Sequence, residues 1–529
     1  MAAPASASDG PDALSMRIHP SRRRSACAPI PLISISSVSA PPAQVLLFYD
    51  TAGAAPLTPD ALAHSLALVL NAYPQFAGQL RHPPSLQHSL SSTSPSPSSL
   101  DSTPFPDYTH RFLRPWIEYG HNDPGLLLTF ERRPGARPAL PETWERIYDL
   151  DGIDPSLAPT LAPNLSPTTL RTEVPISGVK VTLYYDGAAF VFGTSHVLAD
   201  AGALGTFLQD WARIALHPEE EEDIVDELVE KRRVDWAALD AFAGDIDASC
   251  EEEAGLDLLR YDAWAPGAPP GMRATPDPAI EHLDRASGCA RGPAPPWDTL
   301  HTAPAKRYAI NFTEAEVERI WANAKTHAPR ASANDALVAH LWRSITCARG
   351  SAAPPGPLEL SMACDVRRHL AGVETPACFN ICLGLLAAPE DVARPGWAEQ
   401  RIRRAVDGVT APRVAAWLRR RAQDLDPRRK MVCFPGYRSV CVTNWARARV
   451  LPDFGGGAPR FAHNFVQAFG GYFTIMKAAR GGRGGEEEGR AEEGREGKVE
   501  KWYEPGVDVL LWLEEGGMER LVRDPLLRG

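Results

Sequence analysis

The sequence predicts an α/β protein of two related domains, each a mixed sheet with flanking helices. Three observations carry the prediction. The chain has 529 residues, more than one ordinary core accommodates. Both halves alternate β-rich runs with stretches of helical period. Between them, residues 218–300 open on a charged segment and continue into a stretch rich in Pro, Gly and Ala with little periodicity, the composition of a connection. The expected organisation is a disordered tail over 1–28, an N-terminal domain over 29–217, a crossover over 218–300 and a C-terminal domain over 301–529. No repeat of short period is visible.

The elements follow in order. "VLLFYD" reads as a buried strand, and "TPDALAHSLALVLNAYPQFAG" as a helix capped by Thr58. Its apolar face is Leu62, Leu66, Val69, Leu70 and Tyr73, and Pro74 halts it. Residues 82–104 are a Ser/Pro tract too poor in large apolar groups to pack, hence a loop. "VKVTLYYDGAAFVFGTSH" is a hairpin, because two β-rich runs flank Asp186-Gly187. Leu204, Phe207, Leu208, Trp211 and Ile214 then recur at helical spacing. The second half opens with the strand and helix of "KRYAINFTEAEVERIWANA", capped at Thr313, and a further helix carries Leu337, Leu341 and Ile345 on one face. "LELSMACD", "GYFTIMKAA" and "VDVLLWLEE" read as strands, and residues 480–500 as a flexible, solvated insert.

The composition excludes several classes. An apolar fraction of 44% with 23% charged residues is that of a soluble globular protein. A net charge of −11 and a pI near 5.7 argue against general affinity for nucleic acid or anionic membrane. No run approaches the roughly 18 apolar residues of a membrane span. The acid- and proline-bearing N-terminus lacks the apolar core of a secretory signal. Nine cysteines without a CxxC pair read as reduced thiols, and a cytoplasmic monomer is expected.

Chemistry concentrates at "FGTSHVLADAG", residues 192–202. His196 ends a buried run just before a helix. On its own it reads as a core histidine, a metal ligand or a proton acceptor, its unperturbed pKa being about 6.5. The metal reading lacks a third ligand nearby. Asp200 follows across a strand-to-helix turn, where an aspartate caps the helix or meets an arginine more readily than it partners the histidine. A second signal is "VTNWARARVLPDFGGGAPRF", residues 442–461. Its Asp-Phe-Gly is not that of a protein kinase, since the HRD-type loop and the Gly-rich strand–turn–strand are missing. The glycines at 455–457 mark a tight turn. A basic segment, residues 400–430, reads either as a solvated helix face or as a phosphate contact.

Together these pieces resemble the BAHD acyltransferases over most of the chain. The family's His–x3–Asp appears as "HVLAD", and its DFGWG element as "DFGGG", with Gly456 in place of tryptophan. "LLFYD", "LNAYPQFAGQL", "ANDALVAHLWRSITCAR", "ACDVRRHL", "FN" at 379–380 and "VTNW" follow in the family's order. Ser195 stands where many members have a second histidine.

The resemblance implies a two-domain coenzyme-A-dependent acyltransferase fold, like that of chloramphenicol acetyltransferase, with a tunnel between the domains and His196 at its midpoint. It implies transfer of an acyl group from acyl-CoA, as co-substrate, to a small-molecule alcohol or amine in secondary metabolism. His196 is the general base of a direct ternary complex, and no resident cofactor or metal is involved. Thr443 and Trp445 match the oxyanion donors, and Asp453 is counted with the active residues, its place in a glycine turn suggesting that it holds the loop rather than transfers a proton. Asp200 pairs with Arg367, while Phe454, Gly455 and Gly457 shape the loop beside the site. Two alternatives stand beside this reading: a condensation-type transferase using a carrier-protein thioester, and a catalytically silent homologue that binds a ligand or partner.

Overall fold

The computed structural model describes residues 13–37, 40–81, 114–120, 123–140, 146–161, 174–245, 255–269, 292–350, 354–370, 376–422, 424, 429–465, 468–479 and 501–529. The predicted loop 82–104 and insert 480–500 lie outside these residues.

In chain order the first strands are β1 (Ala13–Ile18), β2 (Ala26–Pro29), β3 (Ala43–Asp50), β4 (Gln79–Arg81), β5 (Trp116–Tyr119), β6 (Leu126–Arg132), β7 (Ile147–Asp149), β8 (Ser177–Tyr184) and β9 (Gly187–Thr194). The helices among them are α1 (Thr51–Ala54), α2 (Pro59–Val69) and, after β9, α3 (Ala201–Leu216). There follow α4 (Glu221–Lys231), α5 (Trp236–Ala241), β10 (Tyr261–Asp262), β11 (Ala305–Thr313), α6 (Glu314–Lys325) and α7 (Ala333–Arg349). The chain continues through β12 (Leu358–Asp365), β13 (Asn380–Ala387), α8 (Pro389–Ala393), α9 (Trp397–Asp407), α10 (Ala411–Ala422) and β14 (Lys430–Met431). It closes with β15 (Ser439–Asn444), β16 (Phe461–His463), β17 (Tyr472–Lys477), β18 (Gly506–Glu514) and α11 (Glu515–Arg523).

Two mixed sheets organise the molecule, ordered β1–β6–β8–β9–β3–β16 and β13–β12–β15–β17–β18–β11–β7. Helices α2 and α3 bury Leu62, Leu66, Val69, Leu204, Phe207 and Trp211 in the core of the first sheet. Helices α6 and α7 bury Val317, Ile320, Leu337 and Trp342 with Leu360, Val440, Val442, Phe473 and Ile475 of the second. Strand alternation turns Ser361, Cys441, Thr443, Tyr472 and Thr474 to the opposite face of that sheet, away from the helices. The caps are as the residue types dictate. Thr58 accepts from Ala61 N at 3.4 Å, and Thr313 and Glu316 form a capping box.

Neither sheet is drawn from one half of the chain. β16 pairs antiparallel with β3, placing Phe461 opposite Phe48 and His463 opposite Leu46. In return β7 pairs with β11, Ile147 opposite Ile310. Each half therefore closes an edge of the other's sheet.

One expectation is corrected. The 1–28 segment is not all tail, since β1 pairs with β6 from Ala13↔Glu131 to Ile18↔Leu126, and β2 pairs with β5. β1 leaves most of its side chains in solvent, so backbone pairing at a sheet edge holds it and no apolar run announces it. Inside the 218–300 crossover, the charged segment is itself helical. Within its acidic stretch, Ile224, Val225 and Leu228 form one buried stripe of α4.

Candidate active site

The β8–β9 hairpin delivers the histidine. Its turn residues are Tyr185 and Asp186, with Gly187 the first residue of β9, one position from the expected turn. A Cβ on Gly187 would lie 2.1 Å from Tyr49 O, so only glycine passes here beside β3. All of β9 is buried. Past its end, Ser195 N donates to Ile176 O at 2.8 Å and Leu198 N to Ser195 O at 2.9 Å, so His196 sits on a tight turn between strand and helix. His196 is partly exposed, whereas Val197 to Asp200 are buried.

Asp200 turns away from the ring. Its Oδ1 accepts from Ala203 N at 3.0 Å, capping α3. Arg367 Nη2 reaches its two oxygens at 2.9 and 3.0 Å, and Phe379 N donates to Oδ2 at 2.8 Å. Burial pushes this carboxyl up, but Arg367 and the two amide donors outweigh that and hold it below the usual carboxylate range. The guanidinium of Arg367 is correspondingly raised, and it also meets Asp365 at 2.9 Å. For His196 the balance differs. Burial lowers its pKa, and its main-chain hydrogen bond and the more distant Asp200 only partly oppose this. The imidazole is neutral at neutral pH, the state that can accept a proton.

Thr443 and Trp445 come together at the end of β15. The indole N–H donates to Thr443 Oγ1 at 3.2 Å, so the hydroxyl is the group left to donate outward. Beyond Trp445 lies a cavity of about 640 Å³ lined by Arg447, Arg449, Lys477 and Trp502. Arg447 and Arg449 also border a second cavity of about 370 Å³, beside Gly202 and Arg367. Arg449 has a positive φ of 53°, and Gln209 Nε2 holds its carbonyl at 2.8 Å. The helix accommodates this segment through Gly205, where a Cβ would lie 1.4 Å from Ala448 O.

The Asp453–Gly457 loop sits elsewhere. Asp453 Oδ1 accepts from Gly455 N at 2.8 Å and Gly457 N at 2.9 Å, and both glycines have positive φ. Phe454 packs between Phe190 and Trp211, and Tyr49 OH donates to Pro452 O at 2.9 Å. Tyr49 lies opposite Ala188 at the start of β9. At the rise of an extended strand, Thr194 at the end of β9 is roughly 20 Å further along, with His196 just past it. Asp453, counted with the active residues, lies away from His196, and its carboxylate closes its own turn. Gly456 also has a cause, since a Cβ there would lie 2.1 Å from Ala52 O. No side chain, least of all an indole, fits that approach.

The arginines of the basic segment are largely engaged inside the protein. Arg401 meets Asp257, Arg403 meets Asp335 and Asp407, and Arg429 meets Asp262. Sequence reasoning passed over Cys378, whose Sγ lies 3.9 Å from His196 Nδ1. It also passed over Gly205, although a glycine inside a helical run is a legible sign of close approach. Among the described residues no group of three or more His, Cys, Asp or Glu is placed to hold a metal ion.

No protein-family model and no curated protein matches this chain. Solved structures do. TRI101 of F. graminearum, in complex with ethyl coenzyme A, is similar with a TM-score of 0.62 at 13% identity, covering 95% of this chain and 98% of that one. TRI101 of F. sporotrichioides, with coenzyme A and T-2, gives 0.56 at 14% over 95% and 98%. Vinorine synthase gives 0.55 at 14% over 97% and 96%. They are BAHD acyltransferases, the family whose motifs this sequence resembles. The chain has their two-domain coenzyme-A-dependent acyltransferase fold.

Proposed function

We propose that this chain transfers an acyl group from acyl-CoA to a hydroxyl or amine of a small molecule, with His196 as general base. The observation that carries the reading is the division of labour in "HVLAD". His196 stands neutral and partly exposed at the strand's exit, while Asp200 is committed to Arg367, Ala203 and Phe379. The fold supports it, being shared with a protein solved with ethyl coenzyme A bound.

In this mechanism the acceptor oxygen or nitrogen attacks the thioester carbonyl as His196 Nε2 takes its proton. The carbon–oxygen or carbon–nitrogen bond forms, and the carbonyl π pair becomes an oxyanion facing the Thr443 hydroxyl, itself oriented by Trp445. A donor of this kind is worth about 3 kcal/mol. Collapse breaks the carbon–sulfur bond, and the departing thiolate receives the proton from His196. Neither an acyl-enzyme nor a metal is required. Arg447 and Arg449, which border both the cavity at Trp445 and the one beside Arg367, offer positive charge to the phosphates of the donor.

The test is His196→Ala, assayed by release of coenzyme A thiol from a panel of acyl-CoAs with pooled alcohols and amines. Loss of about 10²- to 10⁴-fold in kcat is expected of a missing general base. A folded variant with wild-type transfer refutes the mechanism. Tight ligand binding by the wild type without turnover on any pair favours a silent binding homologue.

A further inference from the structure

We infer that Cys378 is a positioning residue for His196: its sulfur backs the Nδ1 side of the ring, so that Nε2 is the nitrogen offered to the acceptor. The inference rests on His196 being the base.

Cys378 is fully buried, and its Sγ lies 3.9 Å from His196 Nδ1. The residues on either side of it are pinned by the Asp200–Arg367 pair. Arg367 Nη2 donates to Ala377 O, and Phe379 N donates to Asp200 Oδ2 at 2.8 Å. Cys378 itself is tied from a third direction. Ser34 Oγ donates to its carbonyl at 2.8 Å, and Ser37 Oγ lies 3.2 Å from its sulfur. The ion pair that leads Asp200 away from His196 thus returns to the ring through the next layer, with Cys378 as the contact.

The chemistry of the contact follows from the thiol's protonation. Burial pushes its pKa up to about 12, so it is a neutral S–H at physiological pH. With the thiol's one hydrogen on the Ser37 side, sulfur lone pairs face Nδ1; with Ser37 as the donor instead, the S–H points at Nδ1, and wild-type 15N signals showing hydrogen on Nε2 overturn the inference. A neutral imidazole meets lone pairs with N–H. With hydrogen on Nδ1, Nε2 carries the free lone pair a base requires. The reverse tautomer would present a donor to the acceptor's own O–H and accept nothing.

The experiment uses full-length protein labelled with 15N-histidine, the His196 signals being assigned by their loss in His196→Ala. Wild type is expected to show Nδ1 protonated and Nε2 bare. Cys378→Ala is expected to shift both 15N signals toward a mixture of tautomers. It should lower kcat by about 10- to 100-fold, the scale of a misplaced catalytic group, without raising KM for acetyl-CoA. Cys378→Ser, which keeps a polar group against Ser37, should restore most of both. An unchanged 15N pattern and kcat in a folded Cys378→Ala overturns the inference, as does a Cys378→Ser no better than alanine. The base itself is judged separately, by the rate of His196→Ala, so the two ideas fail independently.

Discussion

At His196, burial and nearby polar groups act in opposite directions, and burial prevails. The ring therefore holds its proton less tightly than a free imidazole. Because only the neutral form accepts a proton, kcat/KM is expected to rise with pH as the ring deprotonates, with its midpoint below the ordinary value of about 6.5. A pH profile of the wild type checks this, and a midpoint above neutrality contradicts it. His196 was legible because a histidine delivered by an apolar, buried strand is chemically out of place. Cys378 was not. It lies 182 residues away, and its only signal is a short contact that the closed fold creates.

Among the elements, α3 depends most on a single side chain. Asp200 caps its first turn, accepts from Phe379 and is ion-paired with Arg367 while almost wholly buried. Asp200→Ala strands Arg367 and frees two amide donors, so unfolding in urea should show a loss of about 3–5 kcal/mol. The pH dependence has a definite sign. The folded carboxyl lies below its unfolded value of about 3.9, so its contribution is complete above that pH and fades as acid titrates the folded group. Melting curves of wild type and Asp200→Ala should therefore converge in strong acid. A variant as stable as wild type at neutral pH would remove this role from Asp200. At this scale the helices were readable, since caps and apolar stripes are local. The place of the loop at Asp453 was not readable, because a motif shows that residues are associated but not where they lie. Only the packing of Phe454 on Trp211 places the loop toward the far end of α3.

Across the whole molecule, the exchanged edges β16 and β7 join the halves more tightly than a crossover alone. A fragment of residues 1–300 would lack β16 and leave the edge of β3 open, with the pocket for Phe454 uncovered. Such a fragment is expected to be insoluble or aggregated. Co-expression with residues 301–529 should recover a soluble complex on size-exclusion chromatography. A soluble, monomeric 1–300 fragment would contradict this. The expected boundary at the crossover did not foresee the exchange, because β16 is only three residues long.

The sequence by itself determined what is local: the hairpin and the histidine at its exit, the caps, the amphipathic faces, and the ordered motifs that point to one fold. Period and capping are properties of neighbouring residues, so they survive without a structure. The tertiary structure alone decided which distant groups meet. It set Arg367 and Phe379 on Asp200, Cys378 behind His196, Trp445 on Thr443, and the Asp453 turn roughly 20 Å along the sheet from the base's end of β9. It also decided which glycines are obligatory. Gly205 and Gly456 are forced by carbonyls of segments hundreds of residues away, Ala448 and Ala52, which no local pattern records.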